Sequence, residues 1–524
     1  MVEGSNPALS GEGFPREGRG FLSWPVYSWA ILLLFGFFQL MQWPLLPRFL
    51  DIYYHLSAMK GFSDAGGYVT QAFWEYAPAG RPQLYPPLLH VLMLGFFKAG
   101  FSFLTIARFF DCFSAMVLLA VIWHVAGRRT SPRAAFLALL LAASSMSLML
   151  ASVTLTAFNL AFVFGLFFMR GISQKKTLAA ALWLGLCFYT HAWMGFLVFF
   201  SGAIHGMLDR TLRGASWRSA LGGLLLAAPM LVYQSASRDC FAFVNAKENR
   251  LIQIDVFIYL LAIAGAARAF KEKKGLLPVS WILGMMPLLW THPPRFFAGH
   301  GLVGFIFLAS VALDGIFGRL AVRGGKKAEG IALLLVASFF LMAAPVFERN
   351  TREGTNRWIW GDRTLAAYLR PSGSPFHAKG FTVYFADEYR AIVEGIRAHS
   401  RKDELIWSDF PHAGAILAML ADRGTTSGTL AEVRPKIKRD ALGDARILVW
   451  FKDRNAKAPA KMPPAVRKYR LELLRETEMA YVYQNPSPGA TLQPQKAKIP
   501  TAVLFLILAI WAALLFYAER APSP

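Results

Sequence analysis

Charge is scarce in this chain of 524 residues. Asp, Glu, Lys and Arg make up 17% of it, where a soluble protein carries about a quarter. Acidic residues are the rarer sign, 32 against 55 basic ones, which leaves a formal charge of +23. Cysteine is limited to Cys112, Cys187 and Cys240, each in or beside an apolar run. That spacing indicates neither a disulfide framework nor a zinc site. The chain has no Walker loop, no dinucleotide fingerprint and no Gly-x-Ser-x-Gly elbow. Nucleotide-fuelled and serine-hydrolase chemistry therefore find no support. No internal repeat is visible, which weighs against inverted-repeat transporters.

Hydrocarbon is what the chain has in excess: 55% of residues are apolar and the mean hydropathy is +0.39. Apolar segments recur at 28–48, 105–126, 134–151, 157–169, 177–190, 193–208, 219–234, 254–270, 277–290, 298–317, 328–346 and 499–518. A spanning helix needs roughly 20 apolar residues. The pair 177–190 and 193–208 is short, and reads as a tight hairpin or as one broken helix. The expected fold is a polytopic α-helical membrane protein of about 12 spans, with an external α/β domain before the last. Met1–Ser23 lacks the apolar core and cleavage site of a removable signal, so the first span is expected to be retained.

Basic residues set the orientation. Arg128, Arg129 and Arg133 share one short loop, and Arg170, Lys175 and Lys176 the next but one. The alternation continues through Arg210, Arg213 and Arg218, then Arg268, Lys271, Lys273 and Lys274, then Arg319, Arg323, Lys326 and Lys327. The loops between hold few. The positive-inside rule places the rich loops in the cytoplasm, with both termini, across a plasma membrane. Much of the +23 is then a topology signal, and a nucleic-acid partner is not expected. Parity also requires residues 86–104 to be an interfacial helix rather than a crossing. The expected domains are a cytoplasmic segment 1–26, a membrane body 27–346 with external loop 51–104, an external α/β domain 347–498 and a last span 499–518.

Within that external domain, Phe381–Phe385, Glu404–Trp407, Ile447–Phe451, Arg470–Leu474 and Ala480–Gln484 read as strands. Ala391–Ser400 and Ala413–Ala421 read as helices, and Lys452–Pro464 as a loop. Chemistry-bearing residues gather on the same side. Asp51-Ile-Tyr-Tyr-His55 follows the first span directly. A carboxylate at a membrane boundary must be solvated or paired; the bland reading is an interfacial belt. The same loop carries Asp64, Glu75, Arg81 and the turn Leu84-Tyr-Pro-Pro-Leu88, whose prolines start the interfacial helix.

Asp-x-Tyr-Tyr-His after the first span, then Tyr-Pro-Pro-Leu before an interfacial helix, resembles the GT-C superfamily of membrane glycosyltransferases. Glu404 to Arg423, with Trp407-Ser-Asp-Phe-Pro411 within it, is similar to the Trp-Trp-Asp-Tyr-Gly segment of oligosaccharyltransferase catalytic subunits. The resemblance implies sugar transfer from a polyprenyl-phosphate-linked donor to a protein or glycan acceptor on the outer face. It implies catalytic roles for Asp51 and Glu248, the latter by order in its external loop. Tyr54, His55, Arg81, His292 and Arg295 would bind the donor, Arg295 in Thr291-His-Pro-Pro-Arg295 gripping its phosphate as a fixed planar cation. Trp407 and Asp409 would bind the acceptor. A divalent ion, Mg or Mn, would sit on Asp51 and Asn159.

Departures from the family pattern are specific. Asn159 stands where an Asp-containing pair is expected and brings a neutral oxygen only. Ser408 and Pro411 replace the second Trp and the Gly of the acceptor motif. Two rivals stay open: a transporter or flippase of lipid-linked saccharide, and a scaffold whose external domain binds a partner. A transporter requires a polar path through the bilayer, a transferase charged groups converging at the outer face.

Overall fold

The computed structural model describes residues 23–41, 43–45, 47, 51–145, 147–149, 156–238, 241–243, 251–271, 276–351, 354–360, 387–428, 433–435, 440–452 and 464–522. The described residues are mostly helical, at 68%. Among the described residues, five helical stretches are long and apolar enough to cross a membrane: Trp24–Met41, Phe103–Gly127, Arg213–Ala236, Pro293–Ala343 and Thr501–Arg520. Shorter apolar helices fill the intervals, among them Pro132–Ser144, Thr177–Thr190 and Ala192–Leu208. The last two meet at a single extended residue, His191, whose side chain accepts from the Met194 amide and caps the second helix. This pair is a tight hairpin. Leu302–Ser338 runs on through a kink at Gly325, whose φ of 65° only glycine adopts cheaply. The kink falls where the basic residues predict a cytoplasmic turn.

One apolar core lies among the long apolar helices, and a second joins the first loop, the ends of Phe103–Gly127 and Thr501–Arg520, and the sheet-containing C-terminal domain. The second core joins Ile52, Met59 and Phe62 of the first loop to Leu89 and Leu94, and to Ile406, Ile416 and Val449 of the external domain. The first loop and the external domain are therefore packed as one unit. Its interfacial helix, Leu88–Lys98, begins at Pro87 as the double proline predicts, and buries Leu89, His90, Met93 and Leu94.

The C-terminal domain is built on a mixed sheet with strand order Glu472–Glu476, Ala480–Gln484, Ile447–Phe451, Leu405–Ser408, Gly424–Thr425. Leu405–Ser408 runs parallel to Ile447–Phe451 and to Gly424–Thr425. Helices Asp387–His399 and Pro411–Ala421 cover one face through Ile392, Ile396 and Ile416. Two expectations need adjusting. Pro464 opens a short helix, Pro464–Lys468, rather than ending a loop, since proline suits a first helical position. The expected strand Phe381–Phe385 lies outside the described residues.

Two seams hold the domain to the first loop. The edge strand Gly424–Thr425 exchanges backbone hydrogen bonds with residues 74–77: Thr425 N to Trp74 O at 2.9 Å and Ala77 N to Thr425 O at 3.1 Å. Lys60 adds an ion pair to Asp422 at 2.7 Å. In the second seam, Gly67–Tyr68 pairs antiparallel with Ile499–Pro500, immediately before the helix Thr501–Arg520. Gly67 is required there, because a Cβ would sit 2.1 Å from the Ile499 carbonyl oxygen.

Candidate active site

Residues 51–65 form a helix. Asp51 occupies its first turn, where the exposed N–H groups favour a carboxylate. Tyr54 and His55 lie one turn on and are both buried. Under them, the two-stranded ribbon Gln71–Ala72/Arg81–Pro82 fixes Arg81. Its Nη2 reaches Glu75 Oε1 at 2.7 Å and its Nε donates to the same oxygen at 2.9 Å. Nη2 also donates to the Tyr54 hydroxyl at 3.2 Å. Arg81 is 2% exposed and Glu75 1%, so the pair is fully desolvated. Burial pushes the Tyr54 hydroxyl up to about 12, against the opposing pull of Arg81, and it stays protonated.

A run of histidines extends from there. His55 Nδ1 and His90 Nε2 share a hydrogen bond of 3.0 Å. The Tyr85 ring lies 4.9 Å from His55 and 6.1 Å from His191, edge-on to both. Phe158 packs against His191 on one side and His300 on the other. His300 Nδ1 lies 3.3 Å from the Arg295 carbonyl, and its own carbonyl accepts from Trp281 Nε1 at 2.7 Å. Arg295 follows His292 and two prolines on the short helix Pro293–Ala298. The result is an arc of neutral rings ending in one cation. Burial holds His55 well below the ordinary imidazole value, with His90 and His191 adding to it, and lowers His90 to about 3.

That arc carries a pH signature. His90 takes up a proton near 6.5 when unfolded but not until about 3 when folded, so falling pH favours the unfolded chain. Stability from this residue is complete above pH 6.5 and is lost towards pH 3 at about 1.4 kcal/mol per unit. Melting of the purified protein is expected to soften below pH 6.5, and the acid slope to shrink in His90→Gln. A slope unchanged by that substitution would remove His90 as its source.

No protein-family model matches the chain, and no curated protein matches it in sequence. Solved structures do. An apo oligosaccharyltransferase from Archaeoglobus fulgidus aligns over 88% of this chain and 75% of its own, with TM-score 0.56 and 11% identity. The archaeal oligosaccharyltransferase AglB from the same organism, in complex with an inhibitory peptide and a dolichol-phosphate, covers 89% and 75% with TM-score 0.55 and 11% identity. The Archaeoglobus fulgidus oligosaccharyltransferase complex with Zn and sulfate covers 88% and 74%, at TM-score 0.52 and 12% identity. The chain folds like an oligosaccharyltransferase.

Within that oligosaccharyltransferase-like fold the expected residues divide. Asp51, Tyr54, His55 and Arg81 sit on the first loop, while His292 and Arg295 flank the far end of the arc. Asn159 is buried beside it, its Nδ2 donating to Ser114 Oγ at 3.3 Å. Ile52 and Ala157, adjacent in sequence to Asp51 and near Asn159, share the outer core. Glu248 lies outside the described residues. Among those described, no three His, Cys, Asp or Glu converge as a metal cage.

Trp407 and Asp409 have other structural work. Strand alternation sends Ile406 toward the first loop, and Trp407 to the opposite face against Trp450, 5.4 Å away. Asp409 Oδ1 accepts from the Phe451 amide at 3.0 Å and so ties two strand ends together. The N-cap of the helix Pro411–Ala421 is Phe410, which makes no side-chain cap bond. The surface that does face the first loop is a cleft of about 300 Å³ lined by Lys60, Asp64, Trp74, Lys402, Asp422 and Arg423, with Glu75 in its wall.

Sequence reasoning missed Glu75's partner and the histidines His90, His191 and His300. A signal existed. His55, His90, His191 and His292 fall in outward-facing loops between the predicted spans, and His300 at the outer end of the span 298–317.

Proposed function

We propose that the chain is a membrane glycosyltransferase of the GT-C, oligosaccharyltransferase-like type. It moves a sugar or oligosaccharide from a polyprenyl phosphate or diphosphate to a protein or glycan acceptor on the outer face. One observation carries the reading: in a fold like that of an oligosaccharyltransferase, a cation and buried neutral histidines converge at the outer boundary beside the external domain. AglB, with that fold, was solved with a dolichol-phosphate. The proposed topology keeps the twelve crossings, both termini in the cytoplasm and the plasma membrane. The domain limits are those given above, 27–346 for the membrane body and 347–498 for the external domain.

In this reading the donor phosphate rests on Arg295, with His292, His300 and His191 supplying N–H groups that carry no competing charge. An acceptor nucleophile entering by the cleft attacks the sugar's anomeric carbon. The bond from that carbon to the phosphate oxygen breaks, and the lipid (di)phosphate leaves with the electron pair, held by Arg295. Asp51 is the carboxylate available to take the acceptor's proton. Tyr54, Arg81 and Glu75 form the rigid wall behind it, and Trp407 and Asp409 shape the domain that presents the acceptor. A divalent ion, Mg or Mn, would be held by Asp51 and Asn159 and would offset phosphate charge. Those two oxygens fall short of the six such an ion wants, so no step is assigned to it.

The test uses the purified protein in liposomes, with a sugar carried on undecaprenyl phosphate and transfer followed by mass spectrometry. Arg295→Gln is expected to raise the donor KM about tenfold or more, for a charge-assisted bond of roughly 1.5–3 kcal/mol. Wild-type protein that transfers nothing, yet carries a labelled lipid-linked saccharide across the liposome, would replace this reading with a flippase.

A further inference from the structure

The cleft between the first loop and the C-terminal domain is walled on one side by the helix Asp51–Ala65. The end of Pro411–Ala421 and the residues after it make the other side. Glu75 belongs both to this wall and to the buried pair with Arg81, which in turn meets the Tyr54 hydroxyl. Cleft and candidate site therefore share a side chain. The helix Pro411–Ala421 ends at Asp422, whose φ of 63° lies in the left-handed region that Asp enters more readily than most residues. Its two carboxylate oxygens receive Lys60 at 2.7 Å and Lys402 at 3.5 Å, and Lys60 also reaches Asp64 at 2.5 Å. Gly61 makes room for the Trp74 ring, since a Cβ there would lie 1.9 Å from it. Trp74 is 7% exposed, and its Nε1 has no hydrogen-bond partner among the described residues.

We infer that this cleft takes a neutral saccharide, so that the acceptor is a glycan rather than a protein. The inference rests on the proposed function above, in which the acceptor enters here. Charge sets the class of ligand. With Glu75 committed to Arg81, Lys60, Lys402 and Arg423 stand against Asp64, Asp403 and Asp422, and the wall has no net sign. An ionic ligand wants a wall of the opposite sign, whereas this one alternates donors with acceptors. Pyranose hydroxyls suit it: the carboxylates accept their hydrogens, and the ammonium groups and the Trp74 N–H donate to their oxygens. A peptide finds less. Extended chains add to a free strand edge, and the edge strand here, Gly424–Thr425, is already bonded to residues 74–77. The side chains that would read a peptide are engaged elsewhere. Trp407 packs against Trp450 on the far face of the sheet, and Asp409 Oδ1 holds the Phe451 amide. A hydroxyl of the bound saccharide is then the nucleophile. Its oxygen bonds to the donor's anomeric carbon, its proton passes to Asp51, and the bond that breaks leaves its electron pair on the lipid (di)phosphate.

The test is calorimetric binding to the full chain in phosphatidylcholine nanodiscs. The probes are neutral hexose, N-acetylhexosamine and deoxyhexose trisaccharides, one triglucuronide, and the end-blocked pentapeptide Gly-Asn-Val-Thr-Gly. A neutral trisaccharide is expected to bind and the pentapeptide is not. Trp74→Phe, which keeps a ring but lacks the N–H, should weaken that trisaccharide about three- to tenfold. Asp64→Asn should weaken it about tenfold or more. Trp450→Phe, on the far face of the sheet, is the control and should change nothing. Failure of every neutral trisaccharide to bind, whether or not the pentapeptide does, would overturn the inference. So would a triglucuronide that binds more tightly than all of them, or a trisaccharide held at wild-type affinity by both cleft variants. Wild-type protein that binds the trisaccharide in this cleft, yet transfers no sugar to it from undecaprenyl phosphate, would keep the saccharide site and remove the transferase reading on which its acceptor role rests.

Discussion

Arg81→Met is expected to destabilise the protein by about 3–5 kcal/mol, the usual result of stranding one partner of a buried ion pair. The physical reason is asymmetric. Arg81 and Glu75 are both almost wholly excluded from solvent, and two guanidinium nitrogens converge on one carboxylate oxygen. Methionine replaces the apolar stem of arginine but leaves the Glu75 carboxylate with its solvation lost and its counter-charge gone. It also removes the donor to Tyr54. The double variant Glu75→Gln/Arg81→Met has no buried charge left in the pair and should recover most of the loss. Thermal unfolding in detergent of the two single variants and the double closes the cycle. A double variant no more stable than Arg81→Met would mean that arginine acts through shape and hydrogen bonding rather than through its charge.

Asp51→Asn is expected to lower the transfer rate by about 10²–10⁴-fold, the range for losing a positioned proton acceptor. The competing role is local. A carboxylate in the first turn of a helix stabilises it by roughly 0.3–1 kcal/mol, and Asp51 stands in the first turn of Asp51–Ala65. The two roles separate cleanly, because asparagine has the same size and still offers an oxygen to the helix amides. Initial rate and melting temperature should be read from the same preparation. A normal rate with a lower melting temperature would assign Asp51 to the helix alone.

The parts of this molecule that follow local rules were legible in the sequence. Ile447–Phe451 and Ala480–Gln484 are strands to the residue, because each is a short run rich in β-branched and aromatic residues set between charged or polar neighbours. The interfacial helix starts at Pro87 because proline can begin a helix and cannot continue one. The helix Asp51–Ala65 was not signalled. Its buried face carries Tyr54, His55 and Gly61 beside Met59 and Phe62, and that mixture has no simple apolar period. The candidate site was half visible. Asp51 and Arg295 stand out as charges at membrane boundaries, whereas His90, His191 and His300 reach one another only through packing between separate elements. Trp407 was read correctly as part of a strand but not as facing away from the loop. Which face a strand residue takes depends on what covers the sheet, and the covering helix Pro411–Ala421 comes later in the chain.

The pairing of Gly67–Tyr68 with Ile499–Pro500 also orders events during biosynthesis. The edge of the first loop emerges early and stays unpaired until residues 499–500 are made. Contacts of such long sequence separation are slow to form and come late. Until residue 500 has been synthesised and the helix after it inserted, the loop bearing Asp51 lacks one of its two seams. The loop bearing Asp51 therefore gains its second seam only after residues 499–500 have been made, long after the loop itself.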